Sequence, residues 1–148
     1  MPNWCNNTLA VRGSKKQLME FKKKVKSEDS ELCMDNLIRE PNKFRNLEYL
    51  TGDVSKWRHS NWGTRCDITD AELWDEGDDF LVYHFVSKWC PPDQFILHSS
   101  KKYKKLSFQL RYDEPGMGFV GLFRTRKGFI VEDEVIDDGD FWKEKIEK

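Results

Sequence analysis

The chain has 148 residues, a net charge of −1, 38% hydrophobic residues and 14% aromatic residues. That length suits one domain and can bury a core without cross-links. Six Trp and ten Phe at near-neutral charge exclude an intrinsically disordered chain, and no apolar run reaches the roughly 18 residues of a membrane helix.

In chain order, Thr8–Arg12 alternates, with Leu9 and Val11 on one side, which predicts a half-buried strand. Gly13 ends it, and Ser14 caps a helix from Lys15 to about Ser27. Leu18, Phe21 and Val25 share one helical face and most of the lysines take the other. Residues 28–65 lack a clear period and are taken as an insertion. Within it Leu32–Ile38 suits a short strand or a packed loop, and Asp53–His59 a helical turn.

Cys66–Trp74 and Phe80–Ser87 flank Asp-Glu-Gly-Asp-Asp, the signature of a hairpin. Leu81, Tyr83 and Phe85 point one way, Val82, His84 and Val86 the other. Pro91-Pro92 opens a second helix that runs to about Tyr103. Leu106–Tyr112 alternates as a strand, and Phe119–Thr125 with Phe129–Ile136 forms a last hairpin across Arg126-Lys127-Gly128. A short helix over 140–147 closes the chain. The order βαββαβ with an antiparallel sheet, an insertion after the first helix and an added C-terminal hairpin and helix is an α+β ferredoxin-like arrangement, one domain over residues 1–148.

Few residues suggest chemistry. Cys5, Cys33, Cys66 and Cys90 include no Cys-x-x-Cys pair, and the N-terminus has neither the basic nor the apolar region of a secretory signal. Free thiols in the cytoplasm are therefore expected. His59, His84 and His98 lack ligand spacing and none pairs with a cysteine, so neither metal nor cofactor is expected. His59, Cys66, Asp67 and Glu114 supply the groups of a small hydrolase or transferase, with a thiol nucleophile, an imidazole base and carboxylates.

The stretch PGMGFVGLF, residues 115–123, matches part of the RNA-recognition consensus at Gly116, Gly118, Phe119 and Val120. It follows the fourth strand, however, and Met117 stands where one base-stacking ring belongs. A turn at Asp113–Gly116 is the simpler account. Separately, the polar side of the sheet gathers Arg12, His84, Gln109 and Arg111, together with Arg124. Lysine-rich helix ends, Lys15–Lys26 and Lys101–Lys105, offer contacts to phosphates.

Trp4, Trp62 and Trp89 each occupy a junction between elements, where they either close the core beneath the loops or line a shared groove. The same junctions carry a resemblance. MPNWCNNTLAVRG, NWGTRCD, FVSKWCPPDQF and YDEPGMGFVG, in that order, resemble the YubB-type ferredoxin-like family of uncharacterised phage, plasmid and bacterial proteins. The match runs from Pro2 to about Gly121. It rests on Asn3, Trp4, Cys5, Asn7, Gly13, Asn61, Trp62, Gly63, Thr64, Trp89, Pro91, Pro92, Glu114 and Gly121, and Cys66 departs from the pattern. The resemblance implies a ferredoxin-like fold in a bacterial, phage- or plasmid-borne cytoplasmic protein, with no catalytic residues to carry over.

The preferred expectation is a non-enzymatic binding module whose recognition surface is Trp4, Asn7, Asn61, Trp62, Trp89 and Glu114. Its partner is a protein or a nucleic acid, between which the sequence does not choose.

Overall fold

The structure is a computed structural model that describes residues 3–44, 52–68 and 70–137. Strand β1 (Trp4–Arg12) leads into helix α1 (Lys15–Val25), two 3₁₀ turns (Met34–Asn36 and Asn42–Phe44) and helix α2 (Gly52–Asn61). Then come β2 (Glu72–Glu76), β3 (Phe80–Lys88), α3 (Asp93–Lys102), β4 (Ser107–Glu114), β5 (Phe119–Arg126) and β6 (Phe129–Asp137). All six strands form one antiparallel sheet in the order β2-β3-β1-β4-β5-β6.

Alternation decides which face is covered. Leu9 and Val11 of β1, Leu81, Tyr83 and Phe85 of β3, and Phe108, Leu110 and Tyr112 of β4 all point to one face and are buried. Ser14 accepts the Gln17 N–H at 3.3 Å and starts α1, which sets Leu18, Phe21 and Val25 on that face. The Phe21 ring meets Tyr83 and Phe108 edge-on, at 6.3 and 5.5 Å. Phe95 and Ile96 of α3 join the same core, and the Gly128 N–H donates to Ser100 Oγ at 2.9 Å, tying α3 to the β5–β6 turn.

The insertion is more ordered than its pattern suggested. Gly52–Asn61 is a full helix rather than a turn, and Leu32–Ile38 is a packed segment around a 3₁₀ turn. Arg58 on α2 donates to Glu40 at 2.5 Å and to the Arg65 carbonyl at 3.0 Å, which fastens the insertion to itself. β2 is shorter than expected, beginning at Glu72 rather than Cys66. The Asp67 carboxylate accepts the N–H groups of Met34, Asp35 and Ile68 at 2.8, 3.0 and 2.7 Å. That holds residues 66–68 against the insertion and out of the ladder. The expected C-terminal helix at 140–147 lies outside the described residues.

Candidate nucleic-acid interface

The opposite face of the sheet takes the other half of each alternation. Its rows read His84–Thr8–Arg111–Leu122–Glu134, then Val82–Ala10–Gln109–Arg124–Glu132, then Phe80–Arg12–Ser107–Arg126. Arg12, His84, Gln109 and Arg111 therefore share one face, with Arg124 and Arg126 beside them. Val120 and Leu122 form a separate small apolar cluster there with Ile136.

Two aromatic groups stand on this open face. Trp74, at the bulge in β2, stacks on His84 with ring centroids 4.1 Å apart and planes 13° from parallel. Its Nε1–H donates to Glu72 at 3.0 Å, which fixes the ring while leaving it 58% exposed. The Arg12 guanidinium lies 6.0 Å from the centre of the Phe80 ring. Trp4 is exposed at the far end of β1.

Next to them the surface is hollowed. A pit of about 230 Å³ is lined by Ala10, Arg12, Ser107, Phe108, Gln109, Arg124, Thr125, Arg126 and Val131. A shallower cleft continues from it, lined by Arg12, Gly13, Lys104, Lys105, Leu106, Ser107, Arg126 and Lys127. Among the described residues six cationic side chains line the pair and no Asp or Glu does. Glu132 pairs with Arg124 at 3.5 Å. Lysines thus contribute from the loop after α3, whereas those of α1 stand over the covered face. There Lys22 pairs with Glu76 at 2.8 Å and Lys26 with Glu31 at 3.6 Å.

The six residues singled out for a recognition surface are mostly drawn inward. Trp62 is buried, its Nε1–H donates to the Ile38 carbonyl at 2.9 Å, and its ring meets Trp57 edge-on. Asn7 is buried and donates to the Cys5 carbonyl and to Ser87 Oγ. Asn61 donates to the Trp57 carbonyl at the end of α2. Glu114 is buried and accepts the Met117 N–H, closing the 115–118 turn. Trp89 is half-buried in a left-handed conformation (φ 68°), and its N–H donates to the Asn3 carbonyl at 2.9 Å. Of the six, only Trp4 is exposed, at 45%.

The second and third of the four sequence motifs meet at a joint. Thr64 donates to the Lys88 carbonyl, Ser87 to the Cys90 carbonyl, and the Phe95 N–H to the Trp62 carbonyl. These bonds lock the end of β3, the end of α2 and the start of α3 together. In PGMGFVGLF, Met117 occupies the tip of the turn, Gly118 is left-handed (φ 75°), and Phe119 packs edge-on against Tyr112 on the covered side. Neither ring-bearing position of that motif reaches the open face.

The catalytic set is not gathered either. The cleft that holds Cys66 and Asp67 is lined by Trp4, Val86, Ser87 and Lys88, without His59 or Glu114. His59 is exposed on α2. The Asp67 carboxyl, raised above the usual range by burial, is occupied by its three backbone donors and by the Cys33 thiol. Burial pushes the Cys5 thiol up to about 12 and Cys33 to about 11, the opposite of the lowered value an activated nucleophile needs. Among the described residues no cluster of His, Cys, Asp and Glu is arranged to hold a metal ion.

Sequence reasoning missed Trp74 as a ring on the open face of the sheet. Its signal was a lone tryptophan among acids in Glu72–Glu76, a bulky ring on the unburied side of an edge strand.

A βαββαβ core in one antiparallel sheet, with helices on one face, is a ferredoxin-like α+β domain. The sequence model for the ferredoxin-like domain in Api92-like protein matches residues 70–148, more than half of the chain, and the protein belongs to that family. Its fold is similar to that in the crystal structure of a protein api92 from Yersinia pseudotuberculosis. The TM-score is 0.67 at 9% identity, over 94% of this chain and 99% of that one, a likeness of fold alone. No curated protein sequence matches the chain. Among the described residues no helix is long and apolar enough to cross a membrane.

Proposed function

We propose that this chain is a non-enzymatic binding module that lays single-stranded nucleic acid across the open face of its sheet. Consistent with its YubB-type motifs, it would work in the cytoplasm of a bacterium that carries a phage or plasmid element. The observation that carries the proposal is the exposed Trp74 ring, stacked on His84, on the same face as a hollow lined, among the described residues, by six cations and no acid. Single strands are bound by stacking bases on aromatic faces while a positive groove follows the phosphates, and both parts lie here on one surface. A double helix would meet the flat sheet with its bases already stacked and hidden. The strand-selective platform is therefore the better fit.

Titration with single-stranded oligonucleotides, followed by tryptophan fluorescence at low and high salt, tests this. Saturable quenching that weakens steeply with salt is the expected result. Unchanged fluorescence and no association at low salt would overturn it.

A further inference from the structure

The pit has a feature that continuous strand binding does not use. Its floor is Ala10, the smallest side chain in its row, flanked by Val82 and Gln109. Around that floor stand Arg12, Arg124 and Arg126. At about 230 Å³ the pit is smaller than the roughly 300–1,000 Å³ of pockets that take drug-sized ligands. It has the size for a single charged group. The wider cleft beyond it shares Arg12, Ser107 and Arg126, and so continues away from one side of the pit.

We infer that the pit is a terminal-phosphate site: it takes the phosphate monoester at the end of a nucleic-acid strand, and the cleft guides the chain that follows. This rests on the single-strand proposal and adds a preference for ends. A phosphate monoester carries about −1.5 to −2 charge at pH 7 and three acceptor oxygens, more than an internal diester, and guanidinium forks match that geometry. Arg124 lines the pit and pairs with Glu132 at 3.5 Å.

The experiment compares fluorescence anisotropy of one oligothymidine bearing a 5′-phosphate, a 3′-phosphate or hydroxyls at both ends, with the dye at the opposite terminus. One phosphorylated end should bind about tenfold more tightly than the hydroxyl form, the worth of one added charge-assisted hydrogen bond. Which end gains identifies the strand polarity. Ala10→Leu should abolish that advantage, read as the ratio of phosphorylated to hydroxyl affinity within the variant, because the larger side chain fills the pit. Arg126→Gln serves as a second variant that leaves the strand backbone of β1 untouched, and it should likewise lose the end preference. Equal affinity for all three oligonucleotides, or an advantage that survives Ala10→Leu, would overturn the end preference while leaving strand binding intact. Failure of every oligonucleotide to bind would overturn both.

Discussion

Trp74 and His84 lie face to face across the β2–β3 ladder, 4.1 Å between ring centroids, on the side of the sheet that the helices leave open. Such a pair needs no burial to stay ordered, because the β2 bulge and the Glu72 hydrogen bond hold the indole in place. If the stack is a platform for bases, Trp74→Ala should weaken single-strand binding by about 1–3 kcal/mol, the usual worth of one stacked base. The melting temperature should scarcely move, since the ring is mostly exposed. Anisotropy and thermal denaturation on the same variant check both halves.

The cationic hollow predicts a salt signature. Each phosphate contact on a single strand contributes about 0.7 to the slope of log K against log salt. Arg12→Gln should therefore lower that slope by about 0.7, whereas Lys23→Gln, on the outer side of α1, should leave it unchanged. Titrations at four salt concentrations give the slopes. An equal effect of both substitutions would place the strand elsewhere.

Trp62 is expected to behave as core. Trp62→Ala should cost about 3–5 kcal/mol in a denaturant melt, and it also strands the Ile38 carbonyl that the indole N–H now satisfies. Trp62→Phe should cost less, and the folded fraction of either variant should bind nucleic acid as wild type does.

Thiol chemistry follows from burial. With Cys5 held near 12 and Cys33 near 11, thiolate at pH 8 is about one part in 10⁴ and 10³ respectively. Native-state alkylation read by mass spectrometry should modify the half-exposed Cys66 first and Cys5 last. The sign of the accompanying stability change is fixed. Above about pH 8.5 the unfolded chain gives up these protons while the native state keeps them. The native state then binds more protons, so stability falls as the pH rises through that window.

Gly63 shows what one legible motif does in the packing. Asn61–Thr64 stood out for its junction tryptophan and its family resemblance; in the structure Gly63 is left-handed (φ 84°), and an added Cβ would run into the Asp93 carboxylate and lie 2.9 Å from the Gln94 nitrogen. The requirement is real, but it comes from packing a loop against the first turn of α3 rather than from a ligand. Trp62 was marked as a junction tryptophan, Asn7 and Glu114 as motif positions beside it, and all three are buried. They are bulky or polar groups that only one arrangement satisfies, and a sequence does not reveal whether that arrangement faces water or the core.

The periods of two and of about three and a half in the apolar residues depend only on backbone geometry. They therefore determined β1, α1, β3, α3, β4 and the β5–β6 hairpin, and with them the ferredoxin-like order of the chain. They also placed Arg12, His84, Gln109 and Arg111 on one side of a sheet. The insertion helix, the late start of β2 and the meeting of Arg12, Arg124 and Arg126 around Ala10 were decided by tertiary structure. Strand register and the Asp67 bonds bring together residues more than a hundred positions apart in the first case and over thirty in the second. No local pattern encodes contacts made at such separation.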